Sequence, residues 1–296
     1  MELCKKYGYT PDPDGIEAGI KAIAANLETF RTPEILKSCF SMMDLTTLRT
    51  QDTPASVLKL MGKVNGIPEA FPGYPMPASV CVYPNFAPQV RDSRMSPELH
   101  VTTVAGCFPS SQSYLEVKVQ ECRLAVLNGA DEVDLVLALN SFLAGDYAST
   151  SAEIRAMRSA VDEAAASQGR TVVLKVILET GLLSTPELIA EASFLAMEAG
   201  ADFIKTSTGK VDVNATPTAA YIMCQCIEKF KKATDKMVGF KAAGGISTAD
   251  DALCYYCIVS AVLGPKWLDK KYFRFGVSRL GNNLAGAIER KTVNYF

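Results

Sequence analysis

The 296-residue sequence contains a single histidine, His100. Most zinc hydrolases bind their metal through several imidazoles. A metal centre here would have to rest on thiols and carboxylates, and a Ser-His-Asp constellation would depend on His100 alone. Net charge is also scarce, with 30 Lys and Arg set against 32 Asp and Glu, leaving −2. That balance gives no support for a nucleic-acid or membrane-surface role, so an anionic ligand must be met by positive charge gathered locally. No run is long and apolar enough to span a bilayer, and the opening MELCKKYGYTPDPDG lacks signal-peptide character. Internal repeats and low-complexity tracts are absent as well.

The nine cysteines are odd in number and scattered, unlike a secreted disulfide scaffold. Cys254 and Cys257 form a Cys-x-x-Cys, but they lie in ALCYYCIVSAVL, an apolar helical pattern where free cysteine acts as a small core residue. The expectation is a reduced, intracellular, cytoplasmic protein with no nucleic-acid or membrane partner.

Apolar residues make up 48% of the chain, enough for a sizeable core in one large domain or two small ones. Eight short apolar runs read as strands: 38–45, 79–84, 100–106, 131–139, 171–179, 202–208, 237–244 and 272–276. Helical patterns alternate with them at 113–128, 151–166, 186–199, 215–232 and 248–263. Thr185-Pro186-Glu187 and Ser247-Thr248-Ala249-Asp250 supply a hydroxyl cap and an acidic first turn. Gly129, Gly169 and Gly200 fall where helices should end. The pattern predicts a closed (β/α)8 barrel, with an open doubly wound sheet as its rival. Residues 1–32 read as an extra leading helix, 33–292 as the barrel of a single domain, 293–296 as a tail, and 62–77, rich in Gly and Pro, as a long surface loop. His100 opens a strand, at the end of a barrel that serves structure rather than chemistry.

Charged residues inside the apolar runs are the anomaly. Lys175 sits in VVLKVIL, Lys205 in DFIKTST, Lys241 in VGFKAAGG, Asp134 in EVDLVL and Asp44 in SMMDLTT. Each is apolar on both sides, so the charge points away from solvent and must find a partner or shift its pKa. In a barrel these side chains converge on the axis. A structural ion-pair network is one reading. Three lysines on consecutive strands favour another: crowded ammonium groups drive one lysine toward the neutral amine, a nucleophile for carbonyl carbon, and a carboxylate beside it moves protons. Anion-binding features follow the last strands. Gly244-Gly245 and Gly276-Val277-Ser278-Arg279 each lead into a helix, and Ser207-Thr208-Gly209-Lys210 adds hydroxyls and a cation.

The segments MDLTTL (43–48), CVYP (81–84), GADEVDLV (129–136), LKVILETGLL (174–183), GADFIKTSTGKVDVNATP (200–217) and VGFKAAGGIST (238–248) resemble, in order, the signature blocks of the deoxyribose-phosphate aldolase family. The resemblance runs from about Met43 to Arg279 and FIKTSTGK is its most specific element. It implies an imine-forming Lys205, a second lysine, Lys241, that lowers the pKa of the first, and a proton-shuttling Asp134 working through water. Asp44 and Lys175 would support that network, and Cys81 and Thr208 would line the substrate channel. Also implied are a phosphorylated-sugar substrate, deoxyribonucleoside catabolism, no cofactor, no metal and a possible homo-oligomer.

The sequence departs from the family pattern in places. Ala242 replaces a common proline, Ser247 a common arginine, and Arg279 a second serine. This suggests that cation and hydroxyl have exchanged loops, with Arg279 supplying the charge missing at Ser247. The family often ends in a mobile tyrosine that assists proton transfer, and Tyr295 in the ending Asn294-Tyr295-Phe296 is the candidate. Another imine-forming barrel aldolase, or a non-catalytic sugar-phosphate-binding barrel, stays open on sequence alone.

Overall fold

The computed structural model describes all residues, 1–296. Eight parallel strands close into one barrel in chain order: β1 (Met43–Thr46), β2 (Ser79–Val82), β3 (His100–Ala105), β4 (Glu132–Val136), β5 (Val173–Ile177), β6 (Phe203–Lys205), β7 (Gly239–Ala243) and β8 (Phe273–Val277). β8 pairs with β1, so the open doubly wound sheet is excluded. Strand residues alternate between two environments because successive side chains point to opposite faces. Leu174, Val176, Ile204, Phe240, Phe273 and Phe275 are buried in the main apolar core. Lys175, Lys205, Lys241, Asp134 and Asp44 occupy the alternate positions and are buried as well.

The connecting helices start where sequence chemistry dictates. Thr32, Thr53, Thr185 and Thr216 each accept a backbone N–H from the first turn, and proline follows each one. Proline at that position forfeits no hydrogen bond and has its φ already set. Thr53 with Ser56, and Thr248 with Asp251, complete reciprocal capping boxes. These caps fix where each helix leaves its strand, and so fix the loops at the mouth of the barrel.

Three expectations need correction. The leading segment holds two helices, Glu2–Lys6 and Pro13–Asn26, and a 3-10 turn, Leu27–Phe30, rather than one helix. It is anchored on the outside: the N–H groups of Leu3 and Cys4 both donate to the buried Glu191 carboxylate at 3.0 Å, and Tyr7 stacks on Phe194. Residues 38–41 belong to the helix Pro33–Ser41, because the Thr32-Pro33-Glu34 cap outweighs the apolar run that follows. Much of 62–77 is not loop. The helix Pro54–Asn65 buries Val57, Met61 and Val64, and the short turn Ile67–Ala70 buries Ile67. Helical spacing of those apolar residues prevails over the Gly and Pro signals beside them. Cys254 and Cys257 lie in the helix Ala249–Leu263 as unpaired thiols. No helix is long and apolar enough to cross a membrane.

Candidate active site

Register places the charged side chains in neighbouring pairs. Asp134 lies opposite Lys175, and Lys205 opposite Lys241. Asp134 is the hub. Its Oδ1 accepts from Lys175 Nζ at 2.8 Å, and its Oδ2 accepts from Lys205 Nζ and Lys241 Nζ, each at 2.8 Å. The Lys205 and Lys241 nitrogens therefore lie no farther apart than twice that distance. Lys241 Nζ also donates to Asp44 Oδ2 at 2.5 Å.

The electrostatics separate these lysines. Burial depresses the Lys205 ammonium and Lys241 adds to the effect, outweighing the attraction of Asp134, so its pKa falls below the usual lysine value. The larger cause is desolvation, with the second lysine adding to it. Burial also acts on Lys241 and Lys175, but their carboxylate partners outweigh it and raise both. Burial pushes the Asp134 carboxyl up, yet Lys175, Lys205 and Lys241 together hold it well below the ordinary carboxylate range. The result is a less basic amine beside an ionised carboxylate and two persistent cations.

Lys205 opens on a cavity of about 270 Å³ at the barrel mouth, which Thr208, Gly209, Lys210, Gly244, Gly245, Gly276 and Ser278 also line. Gly244 and Gly245 have φ of 85° and 80°, a left-handed turn that glycine adopts without strain. Cys81, expected to line the channel, is fully buried beside the cluster on β2 and does not line the cavity, and burial pushes its thiol up to about 11, so it is neutral. Lys210 Nζ reaches across the mouth to the Leu48 carbonyl at 2.5 Å.

A family model for DeoC/LacD family aldolase matches residues 39–261. The chain belongs to that aldolase family. A Caenorhabditis elegans relative named "Putative deoxyribose-phosphate aldolase" is 38% identical over 279 residues, covering 93% of this chain and 89% of the relative. Among solved structures, "QR15, an Aldolase" superposes with a TM-score of 0.67 at 25% identity, over 85% of this chain and 96% of its own. The tetrameric deoxyribose phosphate aldolase of Aeropyrum pernix superposes with a TM-score of 0.66 at 22% identity, over 93% and 98%, which supports the fold.

Not every expected residue of this aldolase reaches the cavity. Ser247 does not line it: its N–H donates to Asp251, within the helix cap, and its carbonyl accepts from Asn283. Arg279 faces an adjoining groove of about 450 Å³, shared with Thr46, Thr47, Arg49 and Ser278. Tyr295 lies outside the cavity too. Its hydroxyl donates to the Lys63 carbonyl at 2.8 Å, its ring meets Phe71 edge-on, and Asn282 Oδ1 accepts its backbone N–H. Those contacts hold the tail between the helices Pro54–Asn65 and Leu280–Glu289.

The sequence reading missed four residues. Arg49 is the arginine that lines both the cavity and the adjoining groove. Glu179 accepts the N–H and the hydroxyl of Thr208, at 3.0 and 2.5 Å, and so orients the loop after β6. Glu132 and Arg274 lie under the lysines, joined to each other and to Lys175 and Asp44. Arg274, between Phe273 and Phe275, shows the signal already used for the lysines, a charge inside an apolar strand; Glu132, next to Asp131, does not. His100 is at the far end of this chain of contacts, with Nδ1 2.6 Å from Glu132 Oε1.

Gly276 is required by close approach. A Cβ there would sit 2.8 Å from Ala243 Cβ and 3.1 Å from Lys241 Cε. Gly276→Ala should destabilise the fold by about 1–3 kcal/mol through overpacking. Because the Lys241 stem must move, kcat should fall more than KM rises. Urea melts and steady-state kinetics check the two parts.

Proposed function

We propose that this aldolase reversibly cleaves 2-deoxy-D-ribose 5-phosphate to D-glyceraldehyde 3-phosphate and acetaldehyde through an imine on Lys205. The observation that carries the reading is the Lys205 amine: depressed in basicity, 2.8 Å from Asp134 Oδ2 and open to the mouth cavity. A neutral amine can attack the aldehyde carbon of the open-chain sugar, and loss of water from the carbinolamine gives the protonated imine. That cation draws electrons as the C2–C3 bond breaks and the C3 hydroxyl gives up its proton. Glyceraldehyde 3-phosphate leaves and an enamine remains. Protonation at C2 and hydrolysis then release acetaldehyde and the free amine. Asp134 is ionised and lies 2.8 Å from the nitrogens of Lys175, Lys205 and Lys241, so it is placed to pass protons between the reacting atoms and its neighbours, with Lys241 as the adjacent donor.

In this reading the phosphate is met by Lys210, by the Gly244-Gly245 turn, by Gly276 and Ser278, and by Arg49, with Arg279 one step outside. Arg49→Ala should raise KM for the phosphorylated sugar about tenfold, by loss of a charge-assisted contact. It should leave KM for unphosphorylated 2-deoxyribose nearly unchanged. Arg279→Ala should have the smaller effect of the two on the phosphorylated substrate.

Borohydride added with acetaldehyde tests the imine. The expected product is one reduced adduct, located by peptide mass on Lys205. An unmodified chain, or an adduct on another lysine, overturns the assignment. It also separates an aldolase from a barrel that only binds sugar phosphates. A homo-oligomeric, cytoplasmic protein belongs to the same reading, supported by the assembly described for the Aeropyrum pernix structure and by nine unpaired cysteines. Sedimentation velocity tests the oligomeric part.

A further inference from the structure

We propose that Arg274 and Glu132, below the lysines, set the charge count of one buried network and thereby leave Lys205 as its single unprotonated base. The inference rests on the imine reading above. The network joins the carboxylates Asp44, Glu132 and Asp134 to the bases Lys175, Lys205, Lys241 and Arg274, and all of these side chains are buried. Fully ionised, it would hold one positive charge in excess inside the barrel, where only Lys205 borders the mouth cavity. An unbalanced buried charge is strongly unfavourable, and the usual remedy is loss of a proton.

Partners decide which base gives that proton up. Lys175 meets Glu132 at 2.5 Å, Asp134 at 2.8 Å and Asp44 at 3.8 Å. Lys241 meets Asp44 at 2.5 Å and Asp134 at 2.8 Å. Arg274 bonds Asp44 at 2.6 Å and Glu132 at 2.8 Å, and a guanidinium does not deprotonate in proteins. Lys205 has Asp134 alone, through an oxygen it shares with Lys241. The directions of the individual shifts agree: Lys205 is lowered, and Lys175, Lys241 and Arg274 are raised.

Groups from the other strands do not alter the count. β2 contributes the Ser79 hydroxyl and the neutral Cys81 thiol, and β3 the Thr102 hydroxyl. Ser79 bonds Asp44 at 2.7 Å, and Thr102 bonds Ser79 at 2.8 Å and Glu132 at 3.2 Å, closing a ring that runs through Arg274. His100 meets Glu132 from the floor, where its side chain is 43% exposed and reaches water rather than the sealed part of the network. Glu179 is engaged by Thr208. Arg274 thus never touches the reacting atoms. It is a positioning residue whose charge places the surplus on Lys205, the network member that lines the cavity.

The test is the pH profile of kcat/KM. Activity rises with pH as the Lys205 amine loses its proton, which gives the acid limb. Arg274→Gln removes one positive charge, so the network is neutral with Lys205 protonated. The limb should move to higher pH by about one unit or more, about a tenfold loss at a fixed pH on that limb that is recovered at higher pH. Arg274→Lys keeps the charge and should leave the limb in place even where kcat falls. Glu132→Gln increases the surplus and should move the limb to lower pH, which keeps the idea testable if Arg274→Gln does not fold. The double variant Arg274→Gln/Glu132→Gln should return toward the wild-type profile. Borohydride trapping of the wild type with acetaldehyde comes first: no adduct on Lys205 overturns the imine reading. An adduct accompanied by limbs that do not move, or that move the opposite way, overturns the charge-count inference alone.

Discussion

Lys205→Ala should abolish aldol cleavage, with kcat/KM at least about ten-thousandfold lower, because the nucleophile acts as a unit with its neighbours. The same variant should give no borohydride adduct with acetaldehyde. It should also stay folded. Lys205 has one carboxylate partner and a depressed pKa, which means its charged form is the less welcome one in that environment. Removing it relieves the network of its least compensated base. Circular dichroism and a thermal melt check this, and a melt well below wild type contradicts the description of Lys205 as the surplus charge. Lys205→Arg sharpens the result: it preserves a cation but supplies no neutral amine, so both activity and adduct should be lost.

Asp134→Asn should be damaging in two separable ways. Asp134 is fully buried and accepts from three lysines, so the variant leaves Lys175 and Lys241 with one carboxylate fewer. Breaking a buried network in this way destabilises by about 3–5 kcal/mol. Loss of the proton acceptor should lower kcat by about a hundredfold to ten-thousandfold. The pH dependence has a definite sign. The folded Asp134 carboxyl is held well below its ordinary value, so its stabilisation is complete above the pH where the unfolded carboxyl ionises. It is lost as pH falls through the folded value. Wild-type stability should therefore drop on the acid side more steeply than that of Asp134→Asn. Denaturant titrations at a series of pH values measure both curves, and parallel curves show that Asp134 carries no such linkage.

The helix starts could be read in advance because they are local. A threonine followed by proline caps a helix at Thr32, Thr53, Thr185 and Thr216 whatever surrounds it. The strands could be read as apolar runs, but their ends could not. β6 is only Phe203–Lys205, and just past it the Thr206 hydroxyl, not its backbone, bonds the Ala243 N–H and carbonyl on the β7 side. The helix Pro54–Asn65 was obscured by the Gly and Pro residues after it, although Val57, Met61 and Val64 recur at helical spacing. At the site, Lys175, Lys205, Lys241, Asp44 and Asp134 stood out as charges flanked by apolar residues. Arg274, between Phe273 and Phe275, carries that signal too, whereas Glu132 follows Asp131 at the start of its strand and reads as a rim position.

The sequence by itself determined the alternation of strands and helices, the inward charges and the blocks shared with an aldolase family, because local caps, side-chain alternation and residue order need no third dimension. Only the tertiary structure decided which charges meet. Closing the barrel brings β1, β4, β5, β6, β7 and β8 to one axis, and there the number of carboxylates around each amine separates Lys205 from Lys175 and Lys241. It also decided that Ser247 and Tyr295 lie outside the cavity, since a helix cap and a packed tail claim them first. Interaction between charges depends on distance and on exclusion from water, and neither exists until the chain has closed on itself.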